Sequence, residues 1–229
     1  MDNATRLQYL EAMGIDVWVP RFSADHEPAS APDAIADSAP PSELIDSWEA
    51  LQAEVAPCTQ CDLCKTRIQT VFGSGNKNAG WMFIGEGPGQ SEDQQGLPFV
   101  GKAGQLLTEM LRAIGLDREE VFIANIVKCR PPANRDPTPV EIESCKPYLL
   151  RQLTLVKPKI IVVLGRVAAQ ALLNTDEPIG KLRGQIRALN GTPLVVVYHP
   201  AYLLRSLLDK RKAWADLKLA MQTVKNIKG

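Results

Sequence analysis

Short apolar runs alternate along this chain with longer segments in which apolar residues recur at helical spacing. The runs predict four strands, at Trp81 to Ile84, Val121 to Val127, Ile160 to Leu164 and Leu194 to Tyr198. The periodic segments predict helices at about residues 102–114, 139–155, 166–173 and 209–226. Because strands and helices alternate, we expect an α/β fold in which helices cover both faces of a largely parallel sheet.

The ends of the predicted strands carry the most unusual composition. Ligands of open α/β sheets bind at the carboxyl ends of the strands. Asn190-Gly191 precedes the last strand and predicts a two-residue hairpin turn into it. Three segments that follow strands are rich in glycine, proline or polar residues: GEGPG at 85–89, NIVKCRPPANR at 125–135 and HPAYLLR at 199–205. We therefore expect these three segments to form one site.

The N-terminal part of the chain differs in composition from the rest. Residues 1–22 contain three apolar residues at helical spacing and predict a short amphipathic helix, through Leu7, Leu10 and Met13. Residues 23–42 are rich in Pro, Ala, Ser and Asp, which is typical of a disordered linker. The main domain is therefore predicted at residues 43–229, beginning with a helix that Ser42 caps. The N-terminal segment is a candidate docking helix or a tether for a partner protein.

Composition narrows the class of protein. With 229 residues and 45% hydrophobic content, the chain can form one substantial core without disulfides. It has no apolar run of 18 residues, and its first residues lack the basic and then apolar pattern of a secretory signal. We therefore expect a cytoplasmic protein that does not bind membranes.

The chain has a net charge of zero, but its N-terminal part is acidic and its C-terminal part is basic. Residues 1–42 hold two basic and seven acidic side chains, whereas residues 146–229 hold fifteen basic and four acidic ones. A basic surface of this kind favours a polyanionic partner such as nucleic acid. Basic residues that merely solvate helices would give the same count, so the charge alone leaves both interpretations open.

Four of the five cysteines form a candidate metal site. Cys58 and Cys61 form a CxxC pair before the core, and Cys129 and Cys145 lie further along the chain. Four thiolates suit either a structural zinc ion or a [4Fe-4S] cluster, and spacing does not separate the two. Cys64 extends the pair to CxxCxxC and could replace a neighbour as a ligand.

Five motifs in the same order resemble the family 4 uracil-DNA glycosylases, the iron-sulfur-containing branch of their superfamily. They are CTQCDLCKTR at 58–67, GEGPGQSEDQQGLPFVGKAGQLL at 85–107, NIVKCRPPANRDP at 125–137, EIESCKPYL at 141–149 and YHPAYLLR at 198–205. The resemblance implies a three-layer fold around a central, largely parallel four-stranded sheet. It also implies a [4Fe-4S] cluster on Cys58, Cys61, Cys129 and Cys145, which favours iron over zinc.

The resemblance further implies the reaction. A monofunctional, monomeric enzyme without lyase activity would hydrolyse the N-glycosidic bond of uracil in single- or double-stranded DNA and leave an abasic site. The nucleotide would first leave the base stack and enter a pocket. Asn125 is then predicted to read the uracil edge, because its amide can both donate to O4 and accept from N3–H. Phe99 is predicted to stack on the base.

Candidate catalytic residues follow the strands. His199 is predicted to donate to uracil O2 as negative charge develops on the leaving base. Glu86 is assigned to positioning of the attacking water or the sugar, because the best-known uracil glycosylases carry an Asp where this turn has Gly87. Gly87 and Gly89 are expected to let the backbone approach the ligand closely. Glu92 is expected to shape the pocket and to exclude the thymine methyl group.

The HPAYLLR segment supplies the predicted DNA contacts. Leu203 resembles the apolar wedge that fills the vacated stack, with Leu204 as the second candidate. Arg205 is expected to meet backbone phosphates.

Two other functions are compatible with the same fold. A non-catalytic DNA-binding member of the superfamily would not need Asn125, Phe99 and His199 together. A covalently trapping member would be expected to carry a basic, histidine-containing loop before the last strand, whereas residues 183–191 are short and contain no histidine.

Overall fold

The computed structural model describes residues 47–228, and within them one six-stranded sheet forms the centre of the fold. Its strands are β1 (Ser74–Gly75), β2 (Trp81–Gly85), β3 (Phe122–Asn125), β4 (Ile160–Leu164), β5 (Ile186–Leu189) and β6 (Thr192–Val197). The order across the sheet is β1-β3-β2-β4-β6-β5. The four inner strands are parallel, as predicted, and the two edge strands are antiparallel. The Asn-Gly hairpin into β6 is confirmed, whereas two-residue β1 is too short to give a sequence pattern.

Strand register decides which residues meet at the edge of the sheet. Gly85 at the end of β2 pairs with Asn125 at the end of β3, and Leu164 of β4 pairs with Val197 of β6. Because these strands are parallel, the segments that follow them leave the sheet at the same edge. The three unusual segments are therefore brought together as predicted.

Eight α-helices surround the sheet within residues 47–228. They are α1 (Trp48–Val55), α2 (Gln90–Gln95), α3 (Lys102–Ala113), α4 (Pro139–Val156), α5 (Arg166–Leu173), α6 (Ile179–Leu182), α7 (Pro200–Leu203) and α8 (Lys210–Lys228). The four long predicted helices are confirmed as α3, α4, α5 and α8. The short helices α2, α6 and α7 were not predicted, because four to six residues carry too little periodicity.

The first described helix starts later than the sequence suggested. The Ser47 hydroxyl accepts a hydrogen bond from the Ala50 amide at 3.1 Å and caps α1, so Ser42 is not its cap. Ser42, the predicted N-terminal helix and the predicted linker lie outside the described residues.

Alternating residues of the inner strands form two apolar layers. In β2, Met82 and Ile84 pack with Leu51 of α1 and Leu149 of α4. Phe83, which lies between them, faces the other layer, and this second layer is completed by Ile123, Leu107 and Leu217. The sheet is therefore covered on both faces, as the three-layer prediction requires. None of the helices described is long and apolar enough to cross a membrane.

Candidate active site and cysteine pocket

A cleft of about 580 Å³ opens at the carboxyl ends of the parallel strands. The structure places eight of the predicted catalytic, base-binding and DNA-binding residues on its walls: Glu86, Gly87, Gly89, Glu92, Phe99, Asn125, His199 and Arg205. Five polar residues that sequence reasoning did not assign also line it: Asn134, Arg135, Asp136, Arg166 and Tyr202. The cleft is the candidate active site.

Asn125 presents an unpaired acceptor in this cleft. The residue ends β3 and is 1% exposed. Its Oδ1 is one of two buried side-chain nitrogen or oxygen atoms, among the described residues, that have no hydrogen-bond partner. A Cβ atom on Gly85 would lie 2.5 Å from this Oδ1, so only glycine leaves room for the amide. A buried acceptor without a partner costs free energy, which a ligand N–H would recover.

Phe99 lies beside Asn125 in a backbone conformation that a large side chain rarely adopts. Its φ is 53°, and its side chain is 7% exposed. The ring centroid lies 5.7 Å from that of His199, with the planes 32° apart. A Cβ on Gly85 would lie 2.6 Å from the Phe99 ring, so the same glycine admits both side chains. The aromatic ring thus forms a wall of the cleft next to the Asn125 amide.

Two charged side chains hold the loop that carries Phe99. Glu92 Oε1 accepts from the backbone amides of Val100 at 2.8 Å and Gly101 at 2.9 Å. From the other side, Arg118 donates to the Pro98 carbonyl at 2.8 Å. Glu92 is thus a pocket-shaping residue that fixes the position of a neighbouring loop. Arg118 lies outside every motif, so its role could not be inferred from sequence.

His199 is held as a neutral donor. Its Nδ1 accepts a hydrogen bond from the Ala201 amide at 3.1 Å at the start of α7, so the proton of the neutral ring is on Nε2. Burial, assisted by the positive charge of Arg205, lowers the pKa of His199 to about 4. At neutral pH the ring therefore faces the cleft as an uncharged hydrogen-bond donor.

Burial also disfavours the charged form of Glu86, but the charge beside it is negative rather than positive. Burial and the negative charge of Asp136 raise the pKa of Glu86 to about 7, against the opposing effect of Arg166. Arg166 Nη2 is paired with Asp136 Oδ2 at 2.8 Å, which limits the charge that it offers to Glu86. Near neutral pH this carboxyl group can therefore accept or donate a proton.

The glycines of the GEGPG turn make room for protein atoms. A Cβ on Gly87 would lie 2.7 Å from Val127 Cγ2, and one on Gly89 would lie 2.8 Å from Glu92 Oε2. The absence of side chains therefore lets the turn pack against its neighbours while its backbone lines the cleft.

The structure contradicts the prediction that Leu203 is the wedge. Leu203 is 1% exposed and packs in the core with Leu107 and Leu217, so it cannot enter a base stack without unfolding α7. Leu204 is 42% exposed and has the accessibility that a wedge requires. The burial of Leu203 leaves Leu204, the second candidate of the same segment, as the accessible leucine.

Four cysteines line a second pocket close to the cleft: Cys58, Cys61, Cys129 and Cys145. Cys64 is not among its lining residues. Across residues 47–228, no three His, Cys, Asp or Glu side chains are grouped closely enough to hold one metal ion. The sulfurs surround a cavity, and four thiols are the donor set of a cluster with several iron atoms.

Three donors point at these sulfurs. Arg67 Nη1 lies 2.9 Å from Cys129 Sγ, and the Lys128 amide lies 3.2 Å from Cys145 Sγ. The Tyr148 hydroxyl lies 3.4 Å from Cys58 Sγ. Hydrogen bonds from N–H and O–H groups stabilise negative charge on sulfur and are typical of ligating thiolates.

The two pockets share one segment of chain. Lys128, 1% exposed, donates from its ammonium to the Asn125 carbonyl at 2.8 Å and to Gln152 Oε1 at 2.6 Å. Asp93, also 1% exposed, accepts from the Ile68 amide at 2.9 Å and ties the residues after Cys64 to α2. Sequence reasoning missed both residues, although a lysine directly after the apolar IV pair of NIVKC was a usable indication of a buried charge.

Comparison with known proteins agrees with this geometry. The model of the uracil DNA glycosylase superfamily matches residues 72–218. A type-4 uracil-DNA glycosylase of Archaeoglobus fulgidus is 46% identical over 70% of this chain and 84% of its own length. Type-4 enzymes of Thermotoga maritima and Saccharolobus solfataricus are 42% and 47% identical, over 77% and 70% of this chain and 94% and 78% of their own lengths. The match spans the cleft and its loops, and the chain belongs to the type-4 uracil-DNA glycosylases.

Proposed function

We propose that this chain hydrolyses the N-glycosidic bond of uracil in DNA and leaves an abasic site for repair. The observation that carries the proposal is the unpaired Oδ1 of Asn125 in the cleft. Uracil N3–H is a donor for this atom, and the amide nitrogen of the same side chain can donate to O4. Cytosine has an acceptor at N3 and a donor at C4, so it would leave both bonds unmade, and such sites discriminate by about 10⁴ or more.

Phe99 and His199 complete the base pocket. The extruded base stacks on Phe99, a contact that contributes about 1–3 kcal/mol. Nε2–H of neutral His199 donates to uracil O2, where negative charge grows as the bond to the sugar breaks. A donor that is fixed in advance and aimed at developing charge lowers the barrier more than it strengthens ground-state binding.

Glu86 positions the water that attacks the sugar. With a pKa of about 7, an ionised fraction is present at neutral pH and can accept a proton from that water. The sugar cation formed as uracil leaves is itself reactive, so a strong base is unnecessary. Glu86 therefore contributes less to the rate than Asn125 and His199 together.

DNA contacts are supplied by the rim of the cleft. Leu204 is the exposed side chain that fills the space left by the extruded base, and Arg205 contacts a phosphate. The basic half of the chain, residues 146–229, provides the longer-range attraction. Two predictions stay untested: that the enzyme is a monomer, and that a repair protein binds its N-terminal segment.

The cysteine pocket is proposed to hold a [4Fe-4S] cluster on Cys58, Cys61, Cys129 and Cys145. The donor set and the three hydrogen bonds to sulfur fit this group. The cluster would cross-link the segment after α1 to the loop after β3 and to α4. Because the loop after β3 directly follows Asn125, this cross-link would support the base-reading amide.

The test is excision from oligonucleotides that contain one uracil, single-stranded and duplex, with anaerobically purified protein. We expect an alkali-sensitive abasic product and no strand cleavage without alkali. Matched oligonucleotides with cytosine or thymine at the same position should stay intact. Intact uracil substrate would refute the proposal, and a DNA adduct on a denaturing gel would then identify a covalently trapping protein.

A further inference from the structure

The turn between α7 and α8 exposes an unusual amount of apolar surface. Leu208 is 91% exposed and Leu207 is 65% exposed. Leu208 is the most exposed large apolar side chain among the described residues. Leu204, at 42%, lies a few residues earlier in the same segment. A cluster of exposed apolar side chains of this kind is typical of a surface that binds a partner.

The turn is held in a fixed shape. The Tyr202 hydroxyl donates to Asp209 Oδ2 at 2.6 Å, and Lys212 forms an ion pair with Asp209 Oδ1 at 2.8 Å. The Asp209 amide donates to the Ser206 carbonyl at 3.1 Å. The leucines are therefore presented by a preorganised turn, which reduces the entropy lost on binding.

The surroundings of the turn indicate a polyanion. Arg205, Lys210 and Arg211 flank the two leucines and are exposed. Arg205 also lines the cleft, so the apolar turn continues the wall of the candidate active site. An apolar side chain beside cations at the rim of a DNA-binding cleft matches proteins that insert apolar residues into the minor groove while cations contact phosphates.

We propose that Leu207 and Leu208 form a second apolar contact to duplex DNA, next to the nucleotide that the cleft extracts. The inference rests on the proposed function and deepens it, because it assigns a preference for duplex substrate to this turn. In a duplex, the base pairs beside the extruded nucleotide stay stacked and offer a fixed apolar surface. A single strand offers no such surface, so the leucines add little to its binding.

The double variant Leu207→Ser/Leu208→Ser tests the contact, with Ile186→Ser as the matched control. Ile186 is 50% exposed on β5 and distant in sequence from the turn. The measurement is KM and kcat on one uracil-containing sequence, as a duplex and as a single strand. We expect KM for the duplex to rise about tenfold, from loss of about one buried leucine contact, with less than twofold change for the single strand. The control should change neither, and thermal unfolding should stay within a few degrees for both variants.

Equal changes on the two substrates, or none on either, would overturn the inference. A dimeric parent that the double variant converts to monomer, with duplex KM unchanged, would assign the turn to self-association and overturn it as well. Fluorescence anisotropy on a duplex carrying 2′-fluorinated deoxyuridine, which resists hydrolysis, separates the two proposals. If the parent excises nothing, the proposed function fails, and the tenfold difference in duplex binding still decides the role of the turn.

Discussion

The base cleft and the cysteine pocket lie at the two ends of one short segment. They differ in whether their buried polar atoms are hydrogen-bonded within the protein. In the cleft, the buried Oδ1 of Asn125 has no hydrogen-bond partner among the residues that the structure describes. In the pocket, the sulfurs of Cys129 and Cys145 already receive hydrogen bonds from the protein. Between them, the Lys128 ammonium is paired with the Asn125 carbonyl.

The difference indicates that the cleft is built to bind a ligand and that the cysteine pocket stabilises the fold. An unpaired buried acceptor costs about 1–3 kcal/mol of stability until a substrate N–H reaches it. Paired sulfurs carry no such cost, and the donors around them would stabilise the negative charge of the proposed cluster. Substitutions in the cleft should therefore reduce activity with little loss of stability, and substitutions in the cysteine pocket should reduce both.

Asn125→Ala should give the largest loss of activity. We expect kcat/KM on uracil-containing DNA to fall roughly 10³-fold, because both hydrogen bonds to the base are lost. Thermal unfolding should change little, since the variant also removes an unpaired buried oxygen. Single-turnover excision and calorimetry on the same preparation measure both quantities. A large fall in melting temperature with nearly normal activity would reverse the assignment of the two regions.

Cys129→Ser should lower stability most. Loss of one of the four thiolates should release iron and lower the melting temperature by roughly 10 °C, because the loop after β3 loses its cross-link. Cys64→Ser is the matched control and should keep about four irons per chain, as expected for a [4Fe-4S] cluster. Iron and sulfide assays with thermal unfolding check both variants. Iron loss from Cys64→Ser instead would move the ligand set.

His199→Ala should reduce kcat about 10²-fold, with a smaller change in KM, because its donor acts mainly on the developing charge. The pH dependence of stability gives an independent readout. The pKa of His199 falls from 6.5 to about 4 on folding, so the neutral form is favoured in the native state. The contribution of the neutral His199 ring to the free energy of unfolding is complete above pH 6.5 and is lost as the pH falls towards 4. In His199→Ala this acid-labile part of the unfolding free energy should disappear.

Glu86→Gln should cost about tenfold in kcat, less than the two preceding cleft variants combined. With the Glu86 pKa near 7, kcat of the parent should rise as the pH increases through about 7. The variant should lack this inflection, and a pH–rate profile from pH 5 to 9 measures it. Complete inactivity of Glu86→Gln would show that proton transfer to this carboxylate is essential.

Arg118→Met should have the smallest effect. Without the bond to the Pro98 carbonyl, the loop that holds Phe99 in its positive-φ conformation becomes less ordered. We expect KM to rise a few fold, by the loss of one charge-assisted hydrogen bond, with kcat nearly unchanged. Arg118→Lys should recover part of the loss, whereas Arg112→Met, in an exposed pair on α3, should have no effect. Equal KM values for Arg118→Met and Arg112→Met would show that Arg118 does not position the loop around Phe99.

The apolar pattern and the motifs of the sequence predicted the parallel strands, the long helices and most residues that line the cleft. The parallel strands and long helices follow from local periodicity, and the cleft residues follow because they end strands that leave the sheet at one edge. The cysteine set was predicted from the CxxC pair of Cys58 and Cys61 and from the family resemblance, and the structure places all four of its members around one pocket. Each motif behind these predictions is a run of residues that are neighbours along the chain.

Only the three-dimensional packing shows which side chains are exposed and which make contacts within the protein. Leu203 and Leu204 are adjacent in sequence, and only the packing of α7 on the core buries the first and exposes the second. Glu92 and Arg118 reach the loop around Phe99 across eight or more positions, so no local pattern encodes their contacts. The orientation of a short helix and the partner of a buried charge depend on distant contacts, which the order of residues along one segment does not specify.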